Sequence, residues 1–135
     1  MKVFISHSEE TQPLFRSVLQ ALKKEGLDVW DDDYDIYPGD NWAKVTGEAL
    51  EQADAMVVLL TPEALDSKIV RREISYALVG QKFENRLIPV LVGVDYERAR
   101  KKVPIINYLK TITMPESDRQ EEGINQITQA LKAVA

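Results

Sequence analysis

The chain has no cysteine, a single histidine, and only six glycines and six prolines in 135 residues. Without thiols, neither a disulfide framework nor a thiolate metal site can form. One imidazole, His7, does not make a zinc ligand set, so neither a metal nor a bound cofactor is expected. Long apolar runs are missing too: the longest, Ala55 to Leu60, has six residues. A membrane-spanning helix needs roughly 20. The segment after Met1-Lys2 is a short strand-like run, not a signal-peptide core. Positive charge is in deficit, with 17 Lys and Arg against 22 Asp and Glu for a formal charge of -5. That balance argues against general attraction to nucleic acid or anionic lipid. The basic run Arg98-Ala99-Arg100-Lys101-Lys102 reads as a solvated face. The expectation is one soluble, cytoplasmic domain covering residues 1–135, with no nucleic-acid or membrane partner.

Apolar periodicity supplies the order of elements. Val3 to Ser6 reads as a strand. Phe15, Val18, Leu19 and Leu22 then recur at helical spacing, with Pro13 in the first turn and Gly26 past the end. Leu27 to Trp30 reads as a second strand. After a long loop, Trp42, Val45, Ala49 and Ala53 mark a second helix, with Asp40 or Asn41 as candidate N-cap. Ala55 to Leu60 is apolar throughout, as a strand buried on both faces must be. Val70, Ile74, Ala77 and Leu78 stripe a third helix. Arg86 to Val92 and Lys110 to Met114 read as further strands, although Pro89 removes a ladder donor. Ile124, Ile127, Leu131 and Val134 stripe the last helix. Such alternation predicts an α/β, doubly wound fold: one parallel sheet of five strands with helices on both faces.

In such sheets ligands bind beyond the carboxyl ends of the strands. The first strand ends in Ser6-His7-Ser8, the second in the loop from Asp31 to Asp40, and the third in Thr61-Pro62, so one crevice should collect hydroxyls, an imidazole, carboxylates and aromatics. The loop is long for a strand-to-helix connection, which needs about two to six residues. Its aspartates read as a solvated acidic segment in preference to a hard-cation site.

Several chemistries fail on residue type. The chain contains neither G-x-G-x-x-G nor G-x-x-x-x-G-K-[ST], so a nucleotide bound here is not cradled by glycines. A phospho-acceptor receiver needs acids after its first strand and an aspartate after its third. This chain has Ser-His-Ser and Leu60-Thr61-Pro62 there. A hydrolase triad would have to reuse His7 beside its own neighbours, without a nucleophile elbow. Glu73 falls roughly 80° from the centre of the third helix's stripe, at the edge of the buried face. Ile69 and Tyr76 share that flank. A carboxylate there is either a surface glutamate paired with Arg72 or Arg86, or a partly desolvated group suited to a developing cation.

Four segments, in order, resemble a Toll/interleukin-1 receptor (TIR) domain. They are Val3-Phe4-Ile5-Ser6-His7-Ser8, the loop from Val29-Trp30-Asp31-Asp32 to Pro38-Gly39-Asp40-Asn41-Trp42, Val57-Val58-Leu59-Leu60-Thr61-Pro62, and Arg71-Arg72-Glu73-Ile74-Ser75-Tyr76-Ala77-Leu78. The resemblance implies a flavodoxin-like strand order. It also implies one of two functions, since many bacterial and plant members cleave NAD+ between nicotinamide and ribose, while many animal members only assemble signalling complexes. In the cleaving members a glutamate stands where Glu73 does, and by analogy Glu73 is catalytic. Ser6, His7, Ser8, Asp32, Pro38, Gly39 and Trp42 would then bind substrate. Products would be nicotinamide with ADP-ribose or a cyclic isomer. Partners would be NAD+ as substrate, other TIR domains by self-association, and a sensor or effector domain outside this chain, in immune or stress signalling. Ile69 departs from the pattern, replacing a tryptophan common in cleaving relatives, and so puts pocket geometry in question. Trp42 has a second reading as a core anchor of the second helix.

Overall fold

Six consecutive apolar residues, Ala55–Leu60, form the central strand β3, and each is buried. Successive strand side chains alternate faces. Met56, Val58 and Leu60 therefore pack into one half of the core, and Ala55, Val57 and Leu59 into the other. A computed structural model describes residues 1–31, 36–78 and 86–134, with five strands and six α-helices among them. The sheet order is β2-β1-β3-β4-β5, parallel throughout. The other strands are β1 (Lys2–Ser6), β2 (Asp28–Val29), β4 (Leu87–Val92) and β5 (Ile112–Met114).

Helices α1 (Gln12–Lys24) and α6 (Glu121–Val134) cover one face. On the other lie α2 (Trp42–Gln52), α3 (Pro62–Leu65), α4 (Lys68–Leu78) and α5 (Tyr96–Lys102). Helix α1 buries the predicted Phe15, Val18, Leu19 and Leu22. It ends in a Schellman turn: Leu27 N–H donates to the Leu22 carbonyl at 3.1 Å and Gly26 N–H to that of Lys23 at 3.0 Å. Gly26 has φ 84°, a conformation other residues resist. That turn aims the chain back along the sheet into β2.

The structure departs from the pattern reading in four places. Strand β2 is two residues, not four, because an edge strand pairs on one side only. Helix α2 turns Thr46 and Leu50 inward, whereas Val45 and Ala49 are half-buried and Trp42 is 44 % exposed. Trp42 is therefore no core anchor. Its helix is capped by Asn41, whose side chain accepts from Lys44 N–H at 3.1 Å. Helix α5 lies where no element was expected, since Ala99 alone is buried along its charged length. A four-residue helix, α3, separates β3 from α4, so the third predicted helix is the fourth observed. Pro89 proves harmless: it faces Val58 of β3, and β4 pairs with β5 only from Val90 onward.

Candidate active site

Strand order alone brings two distant residues together. Because β1 lies beside β3, Ser6 at the end of β1 meets α4, the second helix after β3, and its Oγ donates to Glu73 Oε1 at 2.6 Å. Ser6 is 1 % exposed. A hydroxyl held that rigidly fixes one carboxylate oxygen and hence the plane of the group. Glu73 is half-buried, at the edge of the α4 stripe formed by Val70, Ile74 and Ala77, as the helical spacing predicted. The side chain of Leu78, Gly80 and Asp32 lie outside the described residues.

A second polar chain ties the strand exits to one another. Ser8 Oγ and Thr11 Oγ1 are 2.9 Å apart, and Thr11 Oγ1 lies 3.4 Å from Thr61 Oγ1. Thr61 in turn caps α3 by accepting from Ala64 N–H at 3.1 Å. His7 stacks on Phe15 with ring centroids 4.0 Å apart. Its Nδ1 lies 2.9 Å from the Ser8 carbonyl oxygen. A carbonyl only accepts, so this bond puts the proton on Nδ1 and leaves Nε2 of a neutral ring as an acceptor. Arg16 continues the stack, its guanidinium carbon 5.3 Å from the Phe15 centroid.

Some of these groups border a cleft of about 750 Å³ at the carboxyl edge of the sheet. His7, Ser8, Trp42 and Glu73 line it, with Phe15 and Ile69 as apolar wall. Of the residues the sequence put forward, Ser6 stands behind the wall. Pro38 and Gly39 are exposed and outside the described lining. The lining adds Glu9, Glu10, Glu63 and Asp66, which the pattern reading passed over. All four follow the ends of β1 or β3 closely, so the carboxyl-end rule could have selected them.

The acidic loop is not simply solvated at its root. Asp31 is 1 % exposed and accepts twice from Arg16, with Nη1 to Oδ2 at 2.6 Å and Nη2 to Oδ1 at 3.0 Å. The basic run in α5 is partly self-neutralised. Arg100 pairs with Glu97 at 2.6 Å, and that hydrogen bond lowers the Glu97 carboxyl below its ordinary pKa. Among the described residues no group of His, Asp or Glu has the arrangement of a metal site, and no helix is long and apolar enough to cross a membrane. Flat aromatic walls, an oriented carboxylate and an acidic rim together suit a planar cationic ligand.

A probable 2' cyclic ADP-D-ribose synthase, TcpO of Methanobrevibacter olleyae, is 27% identical over 113 residues, 81% of this chain and 33% of that protein. The NAD(+) hydrolase TcpA of a Theionarchaea archaeon (strain DG-70-1) is 27% identical over 101 residues, covering 73% of this chain and 30% of that protein. The 2' cyclic ADP-D-ribose synthase BtTIR of Bacteroides thetaiotaomicron is 33% identical over 60 residues, 44% of this chain and 21% of that protein. The chain thus spans a third or less of the curated relatives it matches. Among solved structures, a metazoan TIR-STING receptor from C. gigas superposes with TM-score 0.78 at 22% identity, covering 96% of this chain and 38% of that one. The TIR domains of the activated Roq1 resistosome superpose with TM-score 0.74 at 18% identity, covering 99% of both chains. The sheet order found here is the one that the family resemblance implied. With the TIR domain family model matching residues 3–128, the chain belongs to the TIR domain family.

Proposed function

We propose that this domain cleaves NAD+ at the bond between nicotinamide and ribose, with Glu73 as the principal catalytic group. The observation that carries the reading is the Ser6–Glu73 hydrogen bond of 2.6 Å at the wall of the cleft. Cleaving an ordinary glycoside calls for two carboxyl groups, one of which protonates the leaving oxygen. A pyridinium already carries its positive charge and departs as neutral nicotinamide, so no general acid is needed. What remains is to stabilise an oxocarbenium-like ribose. An oriented carboxylate in a partly dry wall does that at no reorganisation cost. Water at C1′ then gives ADP-ribose, and attack by a nucleophile of the substrate's own adenosine half, a ribose hydroxyl for a 2'-linked product or the adenine for a base-linked one, gives a cyclic isomer. The two named activities of relatives, NAD(+) hydrolase and 2' cyclic ADP-D-ribose synthase, support both outcomes.

The aromatic wall serves base binding. Trp42 offers a ring face, and the carboxylates of Glu9, Glu10 and Glu63 favour a cationic ring over a neutral one. We place the activity in the cytoplasm and in immune or stress signalling, promoted by self-association.

The test is chromatography of NAD+ incubated with a concentration series of the protein. Nicotinamide should appear in equal amount with ADP-ribose or its cyclic isomer, at a specific rate that rises with protein concentration. No nicotinamide at any concentration would overturn the proposal.

A second reading has its own observation. Trp42, Ile69 and Tyr76 are 44 %, 44 % and 42 % exposed and border one shallow apolar hollow between α2 and α4. As an assembly surface without catalysis, that patch makes the domain a scaffold. Trp42→Ala separates the two. As a cleft residue, its loss should lower kcat/KM about tenfold at a protein concentration where association is complete. As a scaffold residue, its loss should abolish self-association in sedimentation and leave NAD+ binding as it was.

A further inference from the structure

The described lining of the cleft holds five carboxylates, Glu9, Glu10, Glu63, Asp66 and Glu73, and neither lysine nor arginine. Such a wall welcomes a pyridinium. It repels the two negative charges on the pyrophosphate that joins the halves of a dinucleotide. A cleft that takes the whole molecule must draw its cations from just outside that lining.

The ion pairs locate them. Asp66 Oδ1 lies 3.3 Å from Lys102 Nζ and 3.8 Å from Arg71 Nη2. Two cations on one carboxylate leave the trio net positive at an otherwise acidic rim. Arg71 is already oriented, donating to the Leu65 carbonyl through Nε at 3.2 Å and Nη2 at 2.9 Å. Lys102 closes α5 on a long flexible stem. Side-chain exposures of 46 % for Lys102, 48 % for Arg71 and 62 % for Asp66 make these solvent-screened pairs, which exchange partners at little cost. A phosphate offers several charged oxygens to the same donors.

We propose that Lys102, seconded by Arg71, anchors the pyrophosphate of a dinucleotide in the cleft, and that Asp66 competes for both cations when no anion is bound. The inference rests on the NAD+ reading above and names the side chains that would hold the uncleaved part of that substrate. It divides the cleft into an acidic end for the base and a rim for the phosphates, with Asp66 setting how firmly the rim engages.

ADP-ribose is the probe, because it keeps the pyrophosphate and lacks the scissile bond. Adenosine is the control without phosphate. In NMR titrations at low salt, Lys102→Glu should weaken ADP-ribose binding about tenfold and leave adenosine unchanged. Lys102→Ala, which adds no new charge, should give a smaller loss in the same direction. Asp66→Asn should tighten ADP-ribose binding severalfold. With NAD+ as substrate, Lys102→Glu should raise KM while kcat stays the same, as expected of a group that holds the phosphates and does not touch the reacting bond. An undiminished affinity for ADP-ribose, or an equal loss for adenosine, overturns the anchor while nicotinamide release by the wild type keeps the NAD+ reading standing. A wild-type protein that binds neither NAD+ nor ADP-ribose overturns both.

Discussion

Glu73→Gln is expected to lower nicotinamide release by about 10³-fold with no loss of fold. Glutamine has nearly the shape of glutamate, and its amide oxygen still accepts from Ser6 Oγ, so the 2.6 Å contact can survive the substitution. What disappears is the negative charge facing the ribose. At about 4 Å and an effective dielectric constant near 20, that charge is worth about 4 kcal/mol to an oxocarbenium-like centre. Each 1.36 kcal/mol is a factor of ten in rate, giving the stated loss. Glu73→Asp keeps the charge and withdraws it by one methylene, and should fall between the two. Ser6→Ala removes one hydrogen bond that orients the carboxylate and should cost about tenfold, mainly in kcat. Chromatographic nicotinamide release, with thermal unfolding to show equal stability, checks all three. A glutamine variant that retains a tenth of the wild-type rate would remove Glu73 from the chemistry.

How much of this could be read from the sequence depended on how one-sided each segment's burial is. Strand β3 was legible to the residue because all six side chains are buried, and α1 because its four stripe residues have no polar competitor on that face. Helix α2 misled because the inward residue between Trp42 and Leu50 is a threonine, which reads as surface, while the tryptophan reads as core. Helix α5 was invisible since one alanine is all it buries. The site followed the same logic. The edge position of Glu73 on α4 and the clustering of strand ends could be deduced locally. Its hydrogen bond with Ser6, 67 residues away, could not, because it exists only once β1 lies beside β3. The acidic rim was missed for a different reason: Glu9, Glu10, Glu63 and Asp66 look like ordinary surface acids until the crevice between β1 and β3 gathers them. Asp31 failed in the opposite sense. Grouped by composition with its acidic neighbours, it looked solvated, and only an arginine fifteen residues earlier shows otherwise.

Arg16→Ala should lower stability by about 3 kcal/mol, near the lower end of the range for breaking one side of a buried pair. The competing terms can be weighed. Asp31 has given up its water, being 1 % exposed, and Arg16 supplies two charge-assisted hydrogen bonds in return. Removing the arginine takes both away and leaves the carboxylate in place. Arg16 itself is 28 % exposed, so part of its attraction is already screened, which is why the upper end of the range is not expected. Loss of its stacking over Phe15 adds a little. For a domain of this size the change corresponds to a fall in Tm of about 10 °C. The double variant Arg16→Ala with Asp31→Leu should recover part of the loss, because it removes the buried charge along with its partner. A scan showing Arg16→Ala within 2 °C of wild type would mean that the pair with Arg16 is not what holds Asp31 in its buried place. The pair also joins stability to the site. Asp31 roots the loop that leads to Asn41 and Trp42, and Arg16 ties that root to α1 beside the His7–Phe15 stack. Destabilisation by Arg16→Ala should therefore come with a raised KM for NAD+, larger than that of a core variant of equal Tm such as Leu131→Ala, whose side chain lies under α6 away from the cleft.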